Sequence, residues 1–423
     1  MYRWLSGKVA FKNFKSFVQT KLTLEELSVL IGANASGKTN SIEGIRILSE
    51  VVTGRDISSV LDGSKNVDSG IRGGSRGCVR FGRQSFTLAC EISLTDAAYY
   101  YEISIQVAPH IYVKSEGMYQ GADKHGTLIF ETKEANENSA DIWVTYNNAK
   151  RGKNPDMKCI RTMAILPQML GKWPEEGILS GSKEAMEQLI HDLKNILLLD
   201  PIPSQMRDYA RLGDVDIRPN GENISAVLCN ICDGTSPDNE RKKELLATIR
   251  HLPENEIEDI QFIRTDLNDV ILALKERFSE AWINAKMLSD GTLRCMAILA
   301  AMISEPAGSL IVIEEVDNGI HPSRVKGLLK EIKRLADERS VRALITTHNP
   351  ALLNAIDGDV LGGVSLCYRD KEDGGSSFIK LVDRPEYFKL AAQDSLGDLV
   401  TTEDILCILK EDRQENNFDW MEI

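Results

Sequence analysis

Residues 32–39 read Gly-Ala-Asn-Ala-Ser-Gly-Lys-Thr, a complete phosphate-binding loop. The loop follows an apolar run, Leu27 to Ile31, and precedes a helical pattern, Asn40 to Leu48. Strand, glycine loop and helix in that order is the setting in which such a loop can cradle an anion. Gly32 and Gly37 let the backbone turn where a side chain would clash, so that N–H groups and the helix N-terminus face a phosphate. Lys38 can reach the outer phosphates and the Thr39 hydroxyl can ligate Mg²⁺. Asn34 and Asn40, inside and just after the loop, belong to the same expected site. A chain built around this motif has to supply a buried parallel strand on one side and a packed helix on the other.

Length and charge narrow the rest. The 423 residues leave room for two or three domain-sized units, and the 42% apolar content is enough for a sizeable core. The net charge of −13 argues against a generally basic nucleic-acid binder, although a local basic patch is compatible with it. No apolar run is long enough to span a membrane, and the first residues lack the apolar core of a secretory signal. Eight scattered cysteines fit free thiols and a cytoplasmic location rather than a disulfide scaffold. Cys229 and Cys232 form a lone CxxC within a helical pattern and read as packing residues rather than metal ligands.

Along the chain, residues 1–175 hold the loop and a series of alternating segments. Val9, Phe11, Phe14 and Phe17 suggest an edge strand and turn, and runs at 86–92, 100–105, 110–114, 127–132 and 141–146 suggest antiparallel strands. Residues 149–155 read as an exposed connection. Residues 176–286 read as a mostly helical lobe, with an apolar face over 182–197 and similar patterns at 240–251 and 267–284. Residues 287–390 return to strand, helix, strand: Leu310–Ile313, a helix with Val325, Leu328, Leu329, Ile332 and Leu335 inward, then Val341–Ile345. Such a unit is parallel. Residues 391–423 form an acidic tail ending in Phe418, Trp420 and Ile423, expected to fold back on the core or to meet a partner.

Four further elements follow the loop. Leu288-Ser289-Asp290-Gly291-Thr292 precedes a long apolar helix. Ser289 is a ready N-cap, and a helix start of this kind can equally offer Ser289 and the Gly291 N–H to a phosphate. Glu314 and Glu315 end a buried strand, where ligands bind in open α/β sheets. There Glu314 can hold Mg²⁺ through a water and Glu315 can polarise an attacking water. Asp317 follows in a turn that runs to Pro322, and His348 ends the next strand, placed to meet a γ-phosphate or the water.

In this order the elements resemble the ATP-binding-cassette class of ATPase heads. More narrowly they resemble prokaryotic AAA family ATPases related to RecF, SMC-like repair heads and the OLD family. Asn13 to Phe17, the Leu288–Leu293 motif, Gly221 to Leu228 and Glu315 to Pro322 carry the likeness, which extends over 7–385. It implies an α/β fold: an ABC-type P-loop ATPase head, a mixed sheet core with an antiparallel β-subdomain and an inserted helical lobe. It also implies ATP and Mg²⁺ as cofactors and a homodimer or higher oligomer that sandwiches ATP. Each nucleotide would then lie between the glycine loop of one copy and Ser289 and Gly291 of the other, with Glu315 and His348 catalytic and Asp317 crossing the interface. Glu314 departs from the class, which usually has Asp there. Gln84 is a weak candidate for the glutamine that the class carries in a connecting loop.

The chain lacks long heptad arms, and the 75 residues after His348 lack the spaced acids of an OLD-type nuclease. The expected function is therefore an ATPase that regulates or scaffolds a separate nuclease or toxin-like effector, as in Septu- or PARIS-type anti-phage systems. The alternative is a RecF-like DNA-binding repair ATPase, with Arg72, Arg76, Arg80, Arg83, Lys150, Arg151 and Lys153 as the candidate DNA surface.

Overall fold

The computed structural model describes residues 7–64, 68–94, 97–174, 178–233, 240–251, 257–277, 280–349, 358–371 and 373–384. The acidic tail lies outside the described residues.

The chain opens with β1 (Gly7–Phe14), β2 (Phe17–Leu24), β3 (Leu27–Ile31) and α1 (Lys38–Val51). An antiparallel run follows: β4 (Ser85–Leu94), β5 (Ala97–Gln106), β6 (Tyr112–Gln120), β7 (Thr127–Thr132), β8 (Asp141–Tyr146) and β9 (Asp156–Ile160). Next come α2 (Ile165–Lys172), α3 (Ser182–Lys194), β10 (Ile196–Leu199), α4 (Ile224–Cys232), α5 (Glu240–Arg250), β11 (Ile257–Arg264) and β12 (Asp269–Glu276). The last part holds α6 (Asp290–Ser304), β13 (Leu310–Ile313), α7 (Pro322–Arg339), β14 (Arg342–Thr347), β15 (Val364–Arg369) and β16 (Ser376–Lys380).

Fourteen strands join one mixed sheet in the order β9-β8-β7-β6-β5-β4-β1-β2-β16-β15-β3-β14-β13-β10. Strands β15, β3, β14, β13 and β10 are mutually parallel, and the β4–β9 series is antiparallel. The expected α/β architecture with an antiparallel β-subdomain is therefore present. Residues 149–155 connect β8 to β9 and are largely exposed, as read from sequence. No helix among the described residues is long and apolar enough to cross a membrane.

Two expectations need correction. The 7–18 segment is not at an edge: β1 sits inside the sheet between β4 and β2. Its phenylalanines explain the placement. Phe11 stacks on Phe17 at 4.9 Å, Phe17 meets Phe378 at 5.2 Å and Phe14 meets Phe86 at 5.3 Å, all among buried residues. Offset aromatic contacts at these separations bury large surface and demand strands on both sides.

The second correction concerns the lobe. Residues 267–284 do not form a helix; β12 pairs with β11 as an antiparallel hairpin, and 282–284 pair with β12. Val270 to Leu274 is a continuous buried run, which periodicity cannot distinguish from a buried helix. The deciding signal is Asn268, whose φ of 61° makes the tight turn between the strands. Leu272 N–H also donates to Ser225 Oγ at 3.0 Å, fixing the sheet to α4. Likewise Ile196 and Leu197, counted on the face of α3, lie in β10, which pairs in parallel with β13.

One buried carboxylate ties the antiparallel sheet to its covering helices. Ala164, at the N-cap of α2, offers no side-chain acceptor. Glu116 on β6 takes that role, accepting from Ile165 N–H at 2.6 Å, Leu166 N–H at 2.7 Å and the Tyr101 hydroxyl at 3.0 Å. Burial pushes its carboxyl up to about 7, against the lowering effect of these three donors. The native state thus holds this proton more tightly than the unfolded chain does. The stabilisation is complete below the ordinary carboxylate range and is lost as pH rises through about 7. At about 1.4 kcal/mol per pKa unit, the effect is on the order of 3 kcal/mol. Thermal midpoints measured from pH 4.5 to 8 are expected to fall with pH, and Glu116→Gln is expected to remove most of that slope.

Candidate nucleotide-binding site

Three adjacent parallel strands build the site. β14 lies between β3 and β13, with Ile31 opposite Thr347 and Ile313 opposite Ile345. The glycine loop, the acid pair and the histidine therefore leave the sheet side by side at its carboxyl edge.

Gly32 follows β3 with φ of 152°, and a Cβ there would lie 2.2 Å from the Cys367 carbonyl oxygen. Only glycine fits this approach. Gly37 is the N-cap of α1, and Asn34 is exposed at the loop tip. Lys38 Nζ donates to Gly32 O at 2.6 Å and Ala33 O at 3.0 Å, so the ammonium is folded over the loop. Burial lowers its pKa, while Cys367, Glu315 and Glu314 act in the opposite sense. Ser36 points its buried hydroxyl into the loop, and among the described residues this oxygen has no hydrogen-bond partner. A cationic side chain, an orphaned hydroxyl and an open helix N-terminus are the donor set a phosphate chain requires. Asn40 sits one turn behind, donating to Ser16 Oγ at 2.8 Å and accepting from Arg72 at 3.2 Å.

The Thr39 hydroxyl donates directly to Glu314. The two oxygen ligands expected for Mg²⁺ are thus neighbours, and the extra methylene of Glu314 lets it reach Thr39 without a bridging group. Glu315 has φ of 49°, a left-handed conformation costly for a non-glycine residue. Thr346 holds it there: Glu315 N–H donates to Thr346 Oγ1 at 2.9 Å and Val316 N–H to Thr346 O at 3.1 Å. The strained turn brings Glu315 Oε1 to 3.6 Å from His348 Nδ1. Both side chains are about half exposed, as groups that meet a ligand must be. Asp317 accepts from the Thr347 hydroxyl at 2.8 Å, so its turn is tied to the same strand end.

Ser289 and Gly291 open α6. Ser289 is the N-cap and accepts from Thr292 N–H at 3.1 Å. A Cβ on Gly291 would lie 2.7 Å from Gly319 O, so this glycine lets α6 pack against the turn that carries Asp317. One residue here had no local signal in the sequence. Arg207, 83 residues upstream of Asp290, donates to its carboxylate at 2.5 Å and to Leu288 O at 2.9 Å. It fixes the lobe to the segment that presents Ser289.

The other sequence candidates do not join the site as chemistry. Gln84 accepts from Gln106 at 3.4 Å on the β4–β5 hairpin. Cys229 and Cys232 are buried, and no metal-binding cluster occurs among the described residues. Asn223, in the Gly221–Leu228 segment, donates to Asp214 O and Asp216 O and accepts from Arg218 N–H, pinning its own loop. Of the proposed DNA-contacting arginines, Arg72 holds Asn40, and Arg80 donates to Ser16 O at 2.9 Å and Asp373 O at 2.8 Å.

Fold and site together have the arrangement expected of an ABC-type P-loop head. Residues 192–354, 163 of the 423, match the family described as AAA domain, putative AbiEii toxin, Type IV TA system. Solved structures similar to the chain include SMC heads. One is an SMC head bound to the C-terminal winged-helix domain of ScpA, at 12% identity, 88% of this chain, 97% of the other and a TM-score of 0.46. The SMC head domain from Thermotoga maritima gives 13%, 88%, 98% and 0.43. A head with an extended coiled coil, bound to the C-terminal domain of ScpA from Pyrococcus furiosus, gives 12%, 97%, 100% and 0.43. No curated protein matches the chain at a significant level.

Arg207 gives a test of the lobe contact. Arg207→Ala is expected to lower ATP turnover about tenfold, the loss of a charge-assisted pair that positions a motif. A fluorescent ATP analogue is expected to bind the glycine loop with unchanged affinity, and Arg207→Lys to recover part of the turnover.

Proposed function

We propose that this chain binds and hydrolyses ATP with Mg²⁺, closes as a homodimer or larger oligomer around the nucleotide, and regulates a separate nuclease or toxin-like effector in the prokaryotic cytoplasm, in anti-phage defence. The observation that carries the ATPase reading is the meeting of Thr39 with Glu314 and of Glu315 with His348 at the ends of adjacent strands. The likeness of the motif order to ATPases that work with a separate effector supports that part of the reading.

Bound MgATP supplies the transferable phosphoryl group and the charge neutralisation for its transfer. Lys38 would exchange the carbonyls of Gly32 and Ala33 for phosphate oxygens, a better partner for its ammonium. Thr39 and Glu314 would hold the metal. Glu315, aimed by its strained turn, would orient a water and accept its proton, and His348 beside it would sense the terminal phosphate. Ser289, Gly291 and Asp317 of a second copy would complete the pocket. ATP would then bias a two-state contact between heads, which the effector reads.

Glu315→Gln is expected to bind ATP, retain a closed dimer by light scattering and hydrolyse at least about a hundredfold more slowly than wild type. Lys38→Ala is expected to lose ATP binding. Wild-type turnover in Glu315→Gln would transfer the base role to Glu314. For the effector, the chain expressed with its genomic neighbours and purified with ATP is expected to retain a second protein. Recovery of the head alone, or with DNA only, would overturn that part of the reading.

A further inference from the structure

Phe81 is fully exposed, the most exposed large apolar side chain among the described residues. The segment that carries it is firmly held. Lys15 N–H donates to Cys78 O at 2.9 Å and Arg80 N–H to Asn13 O at 2.8 Å, so residues 78–80 run beside the turn between β1 and β2. The Arg80 guanidinium donates to Ser16 O at 2.9 Å and to Asp373 O at 2.8 Å, which ties the segment also to the turn between β15 and β16. Arg83 N–H closes a corner on Arg80 O at 2.9 Å, and Gly82 takes a φ of 78°. A left-handed glycine at the third position of such a turn fixes the second residue at the apex, and that residue is Phe81. Val107 N–H then donates to Gln84 O at 2.9 Å and anchors the far side. The backbone thus holds a large apolar ring in water, where a flat apolar group can cover it.

The turns that hold this corner also flank the glycine loop. Asn40 Nδ2 donates to Ser16 Oγ at 2.8 Å, and a Cβ on Gly37 would lie 2.7 Å from Ser376 Oγ and 3.2 Å from Ser16 Oγ. Strand order then gives a direction. β14 and β13 lie on one flank of β3, and β15, β16, β2 and β1 on the other. Glu314 and Glu315 follow β13, His348 follows β14, and both acids are charge neighbours of Lys38. Outer phosphates held by Lys38 on the acid flank would leave the nucleoside end to the other flank, where Asn40, Ser16 and the Phe81 corner stand.

We propose that Phe81 stacks on the base of the nucleotide held by the glycine loop and makes the site selective for purine triphosphates. This rests on the nucleotide reading above and adds the residue that meets the base. Stacking requires only a π-face, so the larger purine ring gains more from it than a pyrimidine. The phosphate contacts of Lys38 and Thr39 do not depend on it.

Calorimetric titration of the full chain with MgATP, MgUTP and magnesium tripolyphosphate tests this. Wild type is expected to bind ATP about tenfold more tightly than UTP. Phe81→Ala is expected to weaken ATP on the order of tenfold, to bring it close to UTP, and to leave tripolyphosphate unchanged. Phe81→Trp is expected to keep the wild-type preference, which a merely structural role for Phe81 would not restore. Equal ATP affinity in wild type and Phe81→Ala would overturn the base contact and leave the nucleotide reading standing. So would an equal loss of ATP and tripolyphosphate in Phe81→Ala, since the residue would then act through the loop. Failure of wild type to bind either ATP or tripolyphosphate would overturn the nucleotide reading and the base contact together.

Discussion

The parallel register of β3, β14 and β13 is the constraint on which the rest depends. It ends three strands at one edge, so that the loop after Ile31, the acids after Ile313 and the histidine after Thr347 emerge together. A one-residue slip would reverse the faces of a strand and carry its terminal side chains away. The register is strongly specified because the strands are buried, with Val29, Ile31, Ile311, Ile313, Ala343 and Ile345 all in one core. Apolar burial there is therefore also what aligns the chemistry.

Around this edge, small polar contacts trade local strain for placement. Thr346 and Thr347 each use a hydroxyl to hold a turn at this edge, at Glu315 in one case and Asp317 in the other. Glycines contribute by closeness: Gly32 against Cys367 and Gly291 against Gly319 leave no room for a side chain. The second contact packs the start of α6 on the turn bearing Asp317. Arg207 adds a contact from the lobe to the same segment.

Much of the site was legible because its signals are local. A glycine loop, a strand ending in two acids and a strand ending in histidine each declare themselves within a few residues, and each emerges at the expected place. The lobe was harder to read. Val270 to Leu274 has no period to distinguish strand from helix, and the edge placement of β1 failed because pairing partners lie far away in sequence. The capping of α2 by Glu116, about 50 residues upstream, has no sequence signature, since its own N-cap residue is an alanine.

The amino-acid sequence by itself determined the side chains on offer: a glycine loop with a lysine, a hydroxyl and a carboxylate, a second carboxylate and a histidine. These follow from residue type and short spacing. Tertiary structure alone decided that Thr39 and Glu314 touch, that Glu315 is strained toward His348, and that Arg207 reaches Asp290. Such contacts join residues 33 to 275 positions apart, and burial and strand register, which act through the whole core, select them over the many pairings the same residue types would allow.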